Sequence, residues 1–127
     1  MNESLPSTPT KGEFEILQVL WKAGPRTVKQ VHEEIGRATR YTTILKLLQI
    51  MTEKGLVKRD EENRAHVYRA NISEKRATGD FMRELIGRVF GGSHSRLVVQ
   101  ALGSGNPTRK ELKEIRKLLD EMEGGKK

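Results

Sequence analysis

The stretch from Arg37 to Arg59 holds the side chains of this chain that are best suited to specific chemistry. Thr42, Lys46 and Gln49 recur at spacings of four and three, so a helix would place them on one face with Thr43 beside them. Lysine and glutamine can bond to base edges in the major groove of DNA, and threonine can offer its methyl group to thymine. Thr42, Thr43 and Lys46 are therefore the candidates for reading a DNA sequence, and Gln49 is a candidate for contact with a base edge or a phosphate.

The same stretch carries an apolar face that would turn the helix toward a core. Ile44, Leu47, Leu48 and Met51 share that face, and Gly55 follows as the residue that commonly ends a helix. The pattern predicts a helix over residues 41–54. An ordinary amphipathic helix with a solvated outer face has the same pattern, so the surrounding elements must decide between the two interpretations.

Other residues near this helix could hold the phosphate backbone of DNA. For Tyr41 we expect the ring on the core and the hydroxyl on a phosphate, and His66 lies on a predicted strand from which it could touch DNA. Candidate backbone contacts are Arg40, Lys58, Arg59 and Arg64. The full set of candidate DNA-binding residues is Arg40, Tyr41, Thr42, Thr43, Lys46, Gln49, Lys58, Arg64 and His66.

The elements before and after this helix form a recognisable order. Thr10 with Glu13 and Thr27 with Gln30 are capping boxes that would begin two shorter helices. Two short stretches rich in β-formers follow, residues 56–59 and 65–70, with a polar hairpin loop between them. Helix, helix, helix and hairpin predict a winged helix-turn-helix over residues 1–72. Phe14, Leu17 and Trp21 are expected in its core.

Residues 73–127 predict three more helices with wide apolar faces. Ser73 would cap the first, residues 95–102 form a short second one, and Thr108 with Glu111 forms a third capping box. So few helices bury themselves poorly, and a second copy of the chain is the natural partner. Packing against the first domain is the alternative. The predicted dimerisation residues are Phe81, Leu85, Val89, Phe90, Leu97, Val98, Leu112, Ile115 and Leu119.

Composition limits the classes of function. The 127 residues carry a net charge of +7, which favours a polyanionic partner such as nucleic acid. The chain has no cysteine, and its three histidines show no metal-binding spacing, so we expect no metal and no cofactor. No nucleophile motif or glycine-rich phosphate loop indicates an enzyme. Without a run of 18 apolar residues or a signal peptide, no stable membrane association and a cytoplasmic location are expected.

From about Leu5 to Met122 the chain resembles the penicillinase-repressor family, the BlaI/MecI/CopY type. The resemblance rests on LPSTPTKGEFEILQVLWKAGPRTVKQVHEEI, YTTILKLLQIMTEKGLVKR, HVYRANIS and FMRELIGRVFGGSHSRLVVQAL. It implies a mainly α fold with a small β-wing, in which a winged helix-turn-helix precedes a helical dimerisation domain. It also implies a cytoplasmic repressor that binds double-stranded DNA as a homodimer, at an inverted-repeat operator.

The resemblance extends to regulation, and the chain departs from the family pattern in three respects. Many relatives are inactivated when a membrane sensor metallopeptidase that detects β-lactams triggers cleavage in the C-terminal domain. The cut falls at an Asn-Phe bond, where this chain has Gln100 and Ala101 as the candidate cleavage region. The residue matching Ile50 is usually basic in relatives. The copper-responsive branch is excluded because its metal site needs cysteines. Control by a bound ligand or a protein partner, rather than by cleavage, stays open.

Overall fold

The structure is a computed structural model that describes residues 8–36, 38–61 and 65–124. It has the predicted mainly α fold with a small β-wing. The elements in chain order are α1 (Lys11–Ala23), β1 (Arg26–Thr27), α2 (Val28–Ile35), α3 (Tyr41–Lys54), β2 (Val57–Asp60), β3 (Val67–Ala70), α4 (Glu74–Val89), α5 (His94–Ser104) and α6 (Arg109–Gly124). The chain forms two compact units that divide between Glu84 and Leu85. The proposed domains, 1–72 and 73–127, stay a prediction.

Capping boxes begin α1 and α2, and a glycine ends α3, at the residues that the sequence predicts. The Thr10 hydroxyl accepts a bond from the Glu13 backbone N–H at 3.3 Å, and the Glu13 carboxylate accepts from the Thr10 N–H at 2.9 Å. Thr27 and Gln30 repeat this reciprocal pair at 3.1 and 2.9 Å. Gly55 ends α3 in the left-handed conformation, with φ of 83°, which glycine adopts without a steric penalty. The predicted bounds of α3 are confirmed.

The wing is a three-stranded antiparallel sheet in the order β1-β3-β2. β1 was absent from the sequence prediction, because it has two residues and becomes a strand only by pairing with β3. The other two strands lie close to their predicted positions. In β3 the buried Tyr68 is followed by the exposed Arg69, and in β2 Val57 is buried while the three residues after it are exposed. The wing therefore has one face on the core and one face in solvent.

The core of the first unit lies between α1, α2, α3 and the wing. Ile16, which the predicted stripe of α1 omitted, is fully buried beside Leu17. Phe14 and Trp21 are half-buried at the edge of the core and make an edge-to-face contact, which corrects the expectation that both are interior. The Trp21 indole N–H donates to the carbonyl of Ile72 at 2.9 Å, so α1 also holds the segment that leads out of the wing.

A buried carboxylate joins the start of α1 to the end of α3. Glu13 is 2% exposed, and its two oxygens accept hydrogen bonds from Lys54 Nζ at 3.0 and 2.9 Å. One of these oxygens also caps α1 through the Thr10 N–H. A buried charge is tolerated only where it is paired and hydrogen-bonded, and here both conditions hold. The predicted capping residue is thus also a tertiary contact.

The second unit consists of the end of α4 with α5 and α6. Ser93 caps α5 by accepting from the Arg96 N–H at 3.1 Å, and the predicted Thr108–Glu111 capping box starts α6, with bonds of 2.9 and 3.0 Å. Neither α5 nor α6 has a single buried residue. Their capping hydrogen bonds are formed, but several of their apolar side chains, such as Val98, Val99 and Leu119, are exposed.

The Glu13–Lys54 pair gives a stability prediction. Lys54→Ala should lower the free energy of unfolding by about 1–3 kcal/mol, because it leaves a buried carboxylate without its cation. Urea denaturation measures the loss. Lys46→Ala is the matched control, since it removes an exposed lysine from the same helix and should change stability by less than about 0.5 kcal/mol. Equal losses in the two variants would show that the ion pair contributes nothing.

Candidate nucleic-acid interface

The outer face of α3 is the centre of the candidate site. Ile44, Leu48 and Met51 are at most 1% exposed, and they fix the rotation of the helix about its axis. The opposite ridge of the helix is therefore turned to solvent. Thr42, Thr43, Lys46 and Gln49 are all exposed on this side, as the sequence predicts.

The chemistry of this ridge suits base edges. Thr42, Lys46 and Gln49 follow one another at single-turn spacing, which gives a hydroxyl, an ammonium and an amide along about 10 Å of helix. Lys46 has no carboxylate partner among the described residues, so its donors are available to a ligand. Ile50 is half-buried at the flank of the ridge and supplies no charge there. An α-helix of this kind fits the major groove.

The turn between α2 and α3 positions the start of the ridge. His32 Nε2 lies 2.7 Å from the carbonyl oxygen of Thr39, so a hydrogen bond closes the turn. The Tyr41 ring packs edge-to-face on the His32 ring, with centroids 5.9 Å apart, and is 45% exposed. This corrects the expectation that the ring lies on the core: the first turn of α3 faces α2. Arg40 is exposed immediately before the helix.

The wing carries the remaining candidates that the structure describes. Lys58 on β2 and His66 just before β3 are exposed. Arg59 donates from Nε to Glu61 at 2.9 Å, and the bonds to Glu61 and then to the Tyr68 hydroxyl raise the pKa of Arg59. Arg59 is therefore held by Glu61 and Tyr68 within the wing, and its role as a phosphate contact stays a prediction. Arg64 and Arg37 lie outside the described residues.

Arg69 is an exposed cation on the wing that was absent from the predicted DNA-binding residues. It stands directly opposite Lys58 in the register of β2 and β3. Alternation of buried and exposed side chains along residues 67–70 was the signal that could have found it, since Tyr68 points to the core and its neighbour must point away.

The candidate dimerisation residues are exposed to different degrees. Val89, Val98 and Leu119 are 59%, 45% and 54% exposed, and Leu112 is 38% exposed. Leu85, Phe90, Leu97 and Ile115 are half-buried. Phe81 is 37% exposed and packs edge-to-face on Phe14 at 5.3 Å, so this one residue contacts the first helix of its own chain. Exposed apolar residues that the prediction omitted are Val99, Leu118 and Met122.

Two further features bear on function. Gln100 and Ala101, the candidate cleavage region, are both exposed on α5. Among the residues that the structure describes, no three histidine, aspartate or glutamate side chains come together as a metal site.

No helix in the described ranges is long and apolar enough to cross a membrane.

A polar ridge on the third helix of a helix-turn-helix, followed by an antiparallel wing, defines a winged-helix DNA-binding regulator. Solved structures agree with this fold. The chain is similar to a MarR family transcriptional regulator from Streptomyces coelicolor, with 18% identity, a TM-score of 0.51, and coverage of 92% of this chain and 74% of that one. A mutant MarR from E. coli gives 16% identity, a TM-score of 0.50, and coverage of 90% and 77%.

The chain belongs to the penicillinase repressor family, whose family model matches residues 9–121. A penicillinase repressor from Bacillus licheniformis is 25% identical over 117 residues, which is 91% of each protein. A transcriptional regulator BlaI from Mycobacterium tuberculosis is 39% identical over 59 residues, 44% of this chain and 43% of that one. The resemblance stated from the sequence is confirmed, and these relatives are regulators of transcription rather than enzymes.

The exposure of Lys46 gives a prediction for sequence discrimination. A preferred duplex is first selected from a random pool, and a scrambled duplex of the same length serves for comparison. Lys46→Ala should reduce the preference for the selected duplex about 10-fold or more, since a good base contact is worth roughly 1–3 kcal/mol. Lys58→Ala is the matched control and should weaken both duplexes alike. If Lys46→Ala keeps the preference for the selected duplex, the assignment of this face of α3 to base reading is wrong.

Proposed function

We propose that the chain is a dimeric transcriptional repressor that reads an inverted-repeat operator with α3. The observation that carries the proposal is the rotation of α3, whose buried residues leave Thr42, Lys46 and Gln49 outward on one ridge. Membership of the penicillinase repressor family supports the repressor function. The expected location is the cytoplasm, since that is where the operator DNA would lie.

Dimerisation is supported by the state of α5 and α6. Helices of 11 and 16 residues are marginal in water unless an apolar face is packed, and neither helix has a buried residue. On α6 the apolar residues Leu112, Ile115 and Leu119 lie on one stripe, and Leu119 is 54% exposed. A second copy of the same chain offers an identical stripe, which is the self-complementary arrangement of a two-fold interface.

The dimer determines the form of the operator. Two copies related by a two-fold axis present two α3 ridges in opposite directions, and the matching DNA is an inverted repeat. Each half-site alone would be bound weakly. Joining the two binding events within one dimer raises the affinity without any new contact, because the second event becomes intramolecular.

The names of the relatives supply the finer parts of the proposal. Two of them are penicillinase repressors, from Bacillus licheniformis and Staphylococcus aureus, so genes of the β-lactam-resistance type are the proposed targets. Release by cleavage between Gln100 and Ala101, triggered by a membrane sensor metallopeptidase, would separate α6 from the DNA-binding unit. Both residues are exposed, but the bond lies inside α5, so that helix must open locally before a protease can act.

A charge on the α6 stripe tests the dimer and the operator together. Leu119→Glu should shift the protein from dimer to monomer in sedimentation velocity, because it buries an unpaired carboxylate in the interface. Its affinity for a single half-site should stay near that of the wild type. Its affinity for a two-half-site duplex should fall by about 100-fold or more.

The control for this experiment is Lys117→Glu, which introduces the same residue on the solvent side of the same helix. It should sediment as a dimer and bind both duplexes nearly as the wild type does. Wild-type protein that sediments as a monomer, or that binds one and two half-sites equally, would contradict the proposed dimeric repressor.

A further inference from the structure

The outer face of the wing holds two cations side by side. Lys58 on β2 and Arg69 on β3 are direct partners in the antiparallel register, so their side chains leave the sheet on the same face. Both are exposed. Neither side chain forms an ion pair or hydrogen bond with another residue that the structure describes.

This arrangement is unfavourable for the isolated protein. Like charges directly opposite each other on a strand pair repel, and opposite charges there would attract. Of the nearest acidic residues, Asp60 lies two positions along β2 on the same face, and Glu61 is bound by Arg59. A like-charge pair without an ion-pair partner among the described residues is explained if a polyanion supplies negative charge.

The pair faces an open groove of about 700 Å³ with an excess of positive charge. Besides Lys58 and Arg69, its lining includes Thr52 at the end of α3, Asn71 after β3, and the charged side chains Arg59, Asp60 and Glu61. The Asn71 amide donates to the Gly55 carbonyl at 2.9 Å, which ties the groove to the end of α3. The groove thus adjoins the helix that carries the proposed base contacts.

We propose that Arg69 and Lys58 act together as a clamp for one phosphate of the DNA backbone, a role that rests on the proposed function of α3. The clamp fixes the position of the wing on the duplex and carries no base specificity. The positive charge of the clamp strengthens DNA binding. The repulsion between its two cations lowers the stability of the free protein. Replacing a residue that has only a structural role would lower the stability of the free protein, whereas replacing Arg69 in the clamp should raise it.

The test uses Arg69→Glu, which converts the repelling pair into a cross-strand ion pair with Lys58. We expect three results for this variant. The selected and the scrambled duplex should both bind about 10-fold or more weakly at low salt. The slope of log affinity against log salt should become less steep by about 0.9 or more, because at least one phosphate contact is lost. The melting temperature of the free protein should rise by about 1–4 °C.

Two further variants test whether the effect depends on the positive charge at position 69 and not on the net charge of the protein. Arg69→Lys keeps the charge and should preserve the salt slope. Lys117→Glu makes the same change in net charge on α6 and should leave the salt slope and both affinities near those of the wild type.

The possible outcomes distinguish a failure of the proposed clamp from a failure of the proposed function. Unchanged binding by Arg69→Glu, or a melting temperature that falls with the binding, would overturn the clamp. A loss confined to the selected duplex would also overturn it, because the residue would then read bases. Wild-type protein that shows no preference for the selected duplex would overturn the proposed function itself. Specific, salt-dependent binding by the wild type together with an indifferent Arg69→Glu would reject the clamp alone.

Discussion

The carboxylate of Glu13 joins the two ends of the DNA-binding unit, the start of α1 and the end of α3. It caps α1 through Thr10 and holds Lys54 at the last residue of α3, across 41 positions of sequence. The hydrophobic core sets the rotation of α3, and this ion pair fixes its C-terminal end against α1. A ridge that reads DNA must be held in one orientation, because a helix that rolls by one residue presents different side chains. The same carboxylate thus serves a local and a tertiary purpose.

The two units differ in how many of their apolar side chains they bury. Among its described residues, the first unit buries eleven hydrophobic residues in one cluster, and its wing contacts α1 and α3. In the second unit α5 and α6 bury none, although their caps and stripes are well formed. Helices gain most of their stability in proteins from packing an apolar face. The second unit is therefore the part for which we propose that stability depends on dimerisation.

Local signals made much of this fold predictable. Three capping boxes and the glycine after α3 act within a few residues, and they gave the helix starts and the bounds of α3 correctly. Contacts between distant residues were not predictable in this way. β1 exists only because β3 pairs with it, the Glu13–Lys54 bond joins two ends of the domain, and Arg69 meets Lys58 only through the register of the wing. The position of the Tyr41 ring likewise depends on where α2 places His32.

The most direct test of the account is a hydroxyl-radical footprint of the wild-type protein on its selected duplex. Two α3 ridges in a symmetric dimer should protect two patches, related by a two-fold axis and centred about one helical turn, or a multiple of it, apart. The base sequences under the two patches should form an inverted repeat. A single protected patch, or protection spread evenly along the duplex without a centre, would contradict a dimer that reads DNA with α3.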